Sequence, residues 1–195
     1  MRKTLTIIAF TYFFAGCGGG NINYDKAATQ SGVEADTLKR LCDGITCNYD
    51  TLKDRIEATA NDAQNVLWAA GNETRTIEFS WASKSESINI DVFDVFLYGS
   101  WRFDEYAEIY VGKEMVFKVA GPVDRVVGKY NDVVREHEQI ERISSQIDLK
   151  IARKIAEANY KDVTIRFYGK EGYKDKELPR RHSLIKVVKL AELGI

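Results

Sequence analysis

The sequence predicts an α+β domain: an antiparallel β-meander packed against helices, with one long helix in the C-terminal half. Three observations lead there. Between about Asn65 and Val119, runs of Thr, Ile, Val, Phe, Tyr and Trp alternate with polar residues, the period of half-buried strands. From Val123 to Asn159, the residues Val126, Tyr130, Val133, His137, Ile140, Ser144, Ile147, Ile151, Ile155 and Ala158 recur at steps of three and four, the period of an amphipathic helix. Finally, 195 residues with 45% hydrophobic, 29% charged and 11% aromatic content, and only two prolines, suit one globular domain of ordinary size. That composition excludes a disordered polymer, a collagen-like repeat and a polytopic membrane protein. The formal net charge of −1 offers no basic excess for nucleic acid.

The chain opens with Arg2 and Lys3, followed by the uncharged, mostly apolar stretch Thr4 to Phe14. A bilayer-spanning helix needs about 20 such residues, so this one has the length of a secretory signal core rather than a span. It ends in Phe14-Ala15-Gly16-Cys17, followed by Gly18-Gly19-Gly20. These residues resemble the lipobox of bacterial lipoproteins, and the resemblance covers only the first twenty or so positions. It implies a signal peptide over 1–16, cleavage before Cys17, a diacylglyceryl thioether on the Cys17 sulfur and an acyl chain such as palmitate on the new amino group. Gly18, rather than Asp, further implies forwarding to the outer membrane, facing the periplasm. A single acyl chain binds a bilayer only marginally, with K on the order of 10⁴ M⁻¹, whereas two or more anchor stably.

Residues 17–32 are rich in Gly, Asn, Thr, Gln and Ser without an apolar period, and read as a flexible tether with an r.m.s. reach of roughly 20 Å. A single domain is expected over 33–195. Near its start, Cys42 and Cys47 form an even pair around the turn signal Asp43-Gly44. In an oxidising compartment such a pair predicts a disulfide, worth about 2 kcal/mol for so short a loop. A metal or redox role is the competing reading; CxxC spacing is absent and no histidine lies nearby.

Short helical signals are expected at Leu38–Leu41 and Leu52–Ile56, with Asp50 as N-cap of the second. Thr74 to Trp81 reads as a strand. Ile88, Ile90 and Val92 alternate with polar residues before Phe93, Val95 and Leu97 take over the apolar phase. That switch predicts either a β-bulge or a strand buried on both faces. Glu105–Val111 and Glu114–Val119 flank Gly112. Turns are expected at Gly71-Asn72, Lys84-Ser85 and Tyr98-Gly99-Ser100. A continuous helix over Val123–Asn159 would be about 55 Å long, against a radius of gyration of roughly 16 Å; it must break, at Gly128 or Ser144-Ser145, or project. Asp162 to Tyr168 predicts a strand ended by Gly169, and Ser183 to Leu193 a closing helix.

Candidate chemistry is thin. His137, between Glu136 and Glu138, could be a base or ligand, but its place in the apolar steps favours a partly buried helix histidine. His182, beside Arg180 and Arg181, reads as a surface residue. Asp91, Asp94, Asp104, Glu105 and Glu108 form an acidic run that could hold paired carboxylates, or simply be a solvated sheet face. Trp68, Trp81 and Trp101, with ten tyrosines, could line a glycan platform or fill the core. No G-x-S-x-G, HExxH, Walker A or G-x-G-x-x-G run occurs, so no cofactor or metal is implied. Asn72-Glu73-Thr74 matches a glycosylation sequon, which means little in a bacterial protein.

Residues 149–195 carry 12 Lys and Arg against 6 Asp and Glu, whereas residues 17–148 carry 14 against 23. This basic C-terminal third could meet anionic lipid, lipopolysaccharide or an acidic partner, or could pair with the acidic sheet region. Together these features predict a lipid-anchored envelope protein acting as a binding or interaction module. The alternatives are an envelope hydrolase using an acidic residue or His137, and a mobile-element lipoprotein interfering with uptake.

Overall fold

The computed structural model describes residues 22–50, 52–61, 73–96, 101–131, 136–159, 162–170, 172–177 and 183–194. They form helices α1 (Tyr24–Ser31), α2 (Ala35–Cys42), α3 (Leu149–Glu157) and α4 (Leu184–Glu192), and ten strands. The strands are β1 (Thr46–Asp50), β2 (Arg55–Asn61), β3 (Glu73–Ala82), β4 (Ser87–Phe96) and β5 (Tyr106–Val111). They continue as β6 (Glu114–Val119), β7 (Val123–Asn131), β8 (Glu136–Asp148), β9 (Val163–Gly169) and β10 (Gly172–Glu177). A six-stranded sheet has the order β1-β2-β3-β4-β8-β7 and a four-stranded sheet the order β10-β9-β5-β6. Every pairing is antiparallel. The fold is therefore predominantly antiparallel β with short helices, not the expected meander with a long helix.

One hydrophobic core joins both sheets and the helices. Strand alternation sends Ile56, Ala58 and Ala60 of β2, Ile77, Phe79 and Trp81 of β3, and Ile88, Ile90 and Val92 of β4 into it. Helix α4 packs over β2, β3 and β4 with Leu184, Val187, Val188 and Leu190, while α3 lies beside it and reaches β8, β4 and β6. The four-stranded sheet adds Ala107, Ile109, Val119, Val163, Ile165 and Phe167. The link from β6 to β7 changes sheets through Gly121. A Cβ there would lie 1.6 Å from the Ser144 carbonyl oxygen, so only glycine lets the link press against β8.

The expected helix over Val123–Asn159 is β7, β8 and only then α3. Two physical reasons account for this. The segment is rich in β-branched Val and Ile, which lose side-chain freedom in a helix and pack well on a pleated sheet. Moreover, a step of four satisfies both periods. Ile143 and Ile147 therefore share the core face of β8, while Ile140, an odd step away, lies on the opposite face. Helix begins only where Asp148 caps it, accepting a hydrogen bond from the Ile151 N–H at 3.4 Å.

The helix expected at Leu52–Ile56 is a turn leading into β2. Asp50 caps that turn, accepting from Leu52 N–H and Lys53 N–H (3.0 and 3.1 Å), and Asp54 takes the left-handed conformation at φ 50°. In β4 the phase switch is burial on both faces: pairing with β3 and β8 runs without a register shift, and Val92, Phe93 and Asp94 are successively buried. The stretch 22–32, assigned to the flexible tether, is folded. Asn23 caps α1 through the Lys26 N–H (3.0 Å), and Ile22 and Ala27 enter the core.

Candidate functional site

Two clusters of polar and charged side chains stand out, one sealed and one open. The sealed cluster lies at one end of the six-stranded sheet. Its core face descends through the cross-strand pairs Ile88–Ile147, Ile90–Ser145 and Val92–Ile143, and the next pair is Asp94–Glu141. Both of these carboxylates are 0% exposed. The Glu141 carboxylate accepts from the N–H groups of Phe103 (2.9 Å) and Asp104 (2.6 Å) and from Arg125 Nε (3.3 Å). Arg125 Nη2 also donates to the Asp104 carbonyl (3.0 Å), and Arg102 Nη1 lies 3.4 Å from Asp94 Oδ2.

Two consecutive N–H groups can converge on one carboxylate because Phe103 takes φ +55°; successive amides in such a turn form an anion-binding concavity. Gly169 makes room for this turn. A Cβ there would lie 2.9 Å from both the Arg102 carbonyl oxygen and Asp104 Oδ1. The Phe103 ring, in turn, sits near the Arg125 guanidinium (5.2 Å) and the Lys170 ammonium (4.1 Å). The cluster thus clasps the 101–105 segment, which leads into the four-stranded sheet, onto the six-stranded one.

The open cluster is the outer face of the four-stranded sheet. Alternation that buries Ala107, Ile109, Val163, Ile165 and Phe167 turns Tyr106, Glu108, Tyr110, Arg166 and Tyr168 outward. Register aligns Tyr106, Tyr168 and Tyr173 in one row across β5, β9 and β10. The next row is Lys118, Glu108, Arg166 and Asp175, which alternates in sign across all four strands. Tyr106 and Tyr168 stack (centroids 4.5 Å apart, 17° between planes), with the Lys118 ammonium 3.8 Å from the Tyr106 ring. Tyr173, 59% exposed, is 6.0 Å from Tyr168 and tilted by 44°. Its ring lies 4.3 Å from the Arg166 guanidinium.

Arg166 forks onto Asp175 (Nε–Oδ1 2.5 Å, Nη2–Oδ2 2.7 Å), and Glu108 accepts from the hydroxyls of Tyr110 (2.6 Å) and Tyr168 (2.9 Å). The Tyr110 bond holds the Glu108 carboxyl below its usual range, helped by the Tyr168 bond and the Lys118 and Arg166 charges. The same bond, read from its other end, pushes the Tyr110 phenol up to about 12. Tyr106 is also raised, first by desolvation and then by the Tyr168 and Glu108 charges. Asp175 holds the Arg166 guanidinium firmly in its charged form.

The predicted site residues scatter over these environments. Of the acidic run, Asp94 and Asp104 belong to the clasp, Glu108 to the open face, and Asp91 accepts from the Ser144 hydroxyl. Glu105 is exposed, and its N–H donates to the Tyr168 carbonyl (2.8 Å). His137 is an exposed strand residue rather than a partly buried helix one. Its Nδ1 lies 3.3 Å from the Gly128 carbonyl oxygen and its ring is edge-on to Tyr130. Trp81 is in the core with Nε1 donating to the Ser85 carbonyl (3.2 Å), and Trp101 is half-buried. Cys42 and Cys47 are buried and bonded, Cα atoms 5.6 Å apart, joining the end of α2 to β1. Among the described residues of the C-terminal third, Arg153 pairs with Glu192, Lys154 with Glu114, Arg166 with Asp175 and Lys186 with Asp43. Cys17, Trp68, Asn72 and His182 lie outside the described residues.

Among the described residues, no group of three or more His, Cys, Asp or Glu is placed to hold a metal, and no helix is long and apolar enough to cross a membrane. Sequence reasoning missed Glu141, Arg125, Arg102 and the tyrosine row. The alternation of Thr164, Arg166 and Tyr168 with buried neighbours puts those three on one face, but which residues stand opposite them is a matter of register alone. Comparison with protein-family models, with curated proteins and with solved structures finds no match for this chain.

Proposed function

We propose that this chain is a lipid-anchored protein of the bacterial cell envelope, working as a binding module through the outer face of its four-stranded sheet. The observation that carries the anchor is the run from Arg2 to Cys17, a charged start, an apolar stretch too short to span a bilayer, and small residues before a cysteine. The folded chain supports a shorter tether than composition suggests. Ile22 is already in the core, so only residues 18–21 separate it from Cys17, a stretch of at most about 18 Å. An acylated Cys17 would thus hold α1 almost on the membrane surface. The binding role is supported by a sheet backed by the core whose other side carries aromatic rings and planar charged groups in register.

Of the described residues that the hydrolase alternative would use, Asp94 is buried, Asp91 accepts from the Ser144 hydroxyl, and His137 Nδ1 lies 3.3 Å from the Gly128 carbonyl oxygen. Intact mass of the protein extracted from membranes tests the proposal. The expected mass is the chain from Cys17, plus a diacylglyceryl group with or without a third acyl chain on the amino group, less two hydrogens for the disulfide. A protein that keeps Met1 and carries two free thiols at Cys42 and Cys47 overturns it.

A further inference from the structure

We infer that the ligand of the open face is a neutral chain of pyranose sugars, lying across the strands from β6 to β10. The inference rests on the binding role proposed above and names its ligand. A pyranose ring is amphipathic, with C–H bonds on its faces and hydroxyls around its rim. The sheet presents a matching pair of strips. Tyr106, Tyr168 and Tyr173 form one, and Lys118, Glu108, Arg166 and Asp175 form the other, two residues along each strand and so about 7 Å away. Both strips run across the sheet, whose outermost strands are about 14 Å apart. The stacked Tyr106 and Tyr168 are fixed by each other, and Tyr173, on the edge strand, is the most exposed ring of the row, with the Arg166 guanidinium 4.3 Å from its centroid.

Charge decides between ligand classes. The polar strip alternates in sign and sums to zero, and its cations are engaged: Arg166 with Asp175, and Lys118 with the Tyr106 ring beside Glu108. A nucleic acid or an anionic lipid would have to draw Arg166 or Lys118 away from those partners. Hydroxyl groups need not. A carboxylate has about four acceptor positions and a guanidinium five N–H donors. Glu108 spends two positions on phenols and Arg166 two donors on Asp175, so both can also bond a sugar hydroxyl. Because the other side of the sheet is core, binding orders little that is not already ordered.

The test titrates the full chain, in detergent, with chitohexaose, cellohexaose and maltohexaose, following heat and amide chemical shifts. At least one of them should bind, shifting residues of β9 and β10, with little response to added salt. Tyr173→Ala should weaken that binding about tenfold, the scale of one lost aromatic contact, while leaving the melting temperature unchanged. If none of the three sugars binds, or if binding is indifferent to Tyr173→Ala, the inference is overturned. Its failure is separable from failure of the anchor, since the titration does not depend on acylation. A photo-crosslinker at position 173 that captures a protein in cells, in a chain that ignores all three sugars, also overturns it while sparing the binding role of the face.

Discussion

The sealed clasp and the open face use the same side chains to opposite ends. Each sets a glutamate from a central strand beside an arginine: Glu141 with Arg125 in one, Glu108 with Arg166 in the other. Glu141 is fully buried, and its partners are two backbone N–H groups and a guanidinium. Glu108 stands at the surface, and its partners are two phenols. Burial makes every partner of Glu141 obligatory, because an unmatched charge in a low-dielectric interior is costly. Exposure makes the partners of Glu108 exchangeable, because water can replace them. The same pair of groups is thus obligatory where it is closed and exchangeable where it is open.

The comparison breaks most sharply at Glu141. Glu141→Ala leaves Arg125 and two backbone donors without their acceptor, and should cost about 3–5 kcal/mol in equilibrium denaturation. A loss below ~1 kcal/mol would show that the clasp does not hold the sheets together. Gly169→Ala comes next. Its new Cβ meets the Arg102 carbonyl and Asp104 Oδ1, so the 102–104 turn must shift, at about 1–3 kcal/mol. Reduction of the Cys42–Cys47 bond touches neither cluster and sets a reference of about 2 kcal/mol.

On the open face the effects should be small in stability and visible in titration. Glu108→Gln should change the melting temperature little, yet spectrophotometric titration should find the Tyr110 phenol moved from about 12 back toward its ordinary value near 10. Tyr110 is raised, so its contribution is complete below pH 10 and is lost as pH rises through about 12. Glu108 is lowered, so its contribution is present above the ordinary carboxylate range and disappears as pH falls below it. Smallest of all, Asp175→Asn removes a surface ion pair, worth about 0–1 kcal/mol and weaker still in added salt. A loss as large as that of Glu141→Ala would erase the distinction between the two regions.

Much of the chain was legible locally. Alternation marked β3, β5, β6 and β9 to within a residue or two, the closing helix corresponds to α4, and the turn signal between the two cysteines lies where Gly44 takes φ +70°. The clasp was not legible, since its carboxylates come from β4 and β8 and its donors from the 101–105 segment. Nor was the tyrosine row, which exists only through the pairing of β5, β9 and β10.

By itself, then, the sequence determined which short segments alternate, where they turn, and the apolar start that ends at Cys17. Tertiary structure decided that residues 123–131 and 136–148 are strands. Helical hydrogen bonds close within four residues and leave a periodic trace, whereas β8 finds its partner in β4, where Ser144 meets Asp91 across 53 positions. The step of four fits either state; Val and Ile lean toward a strand, and pairing with β4 over the core selects it.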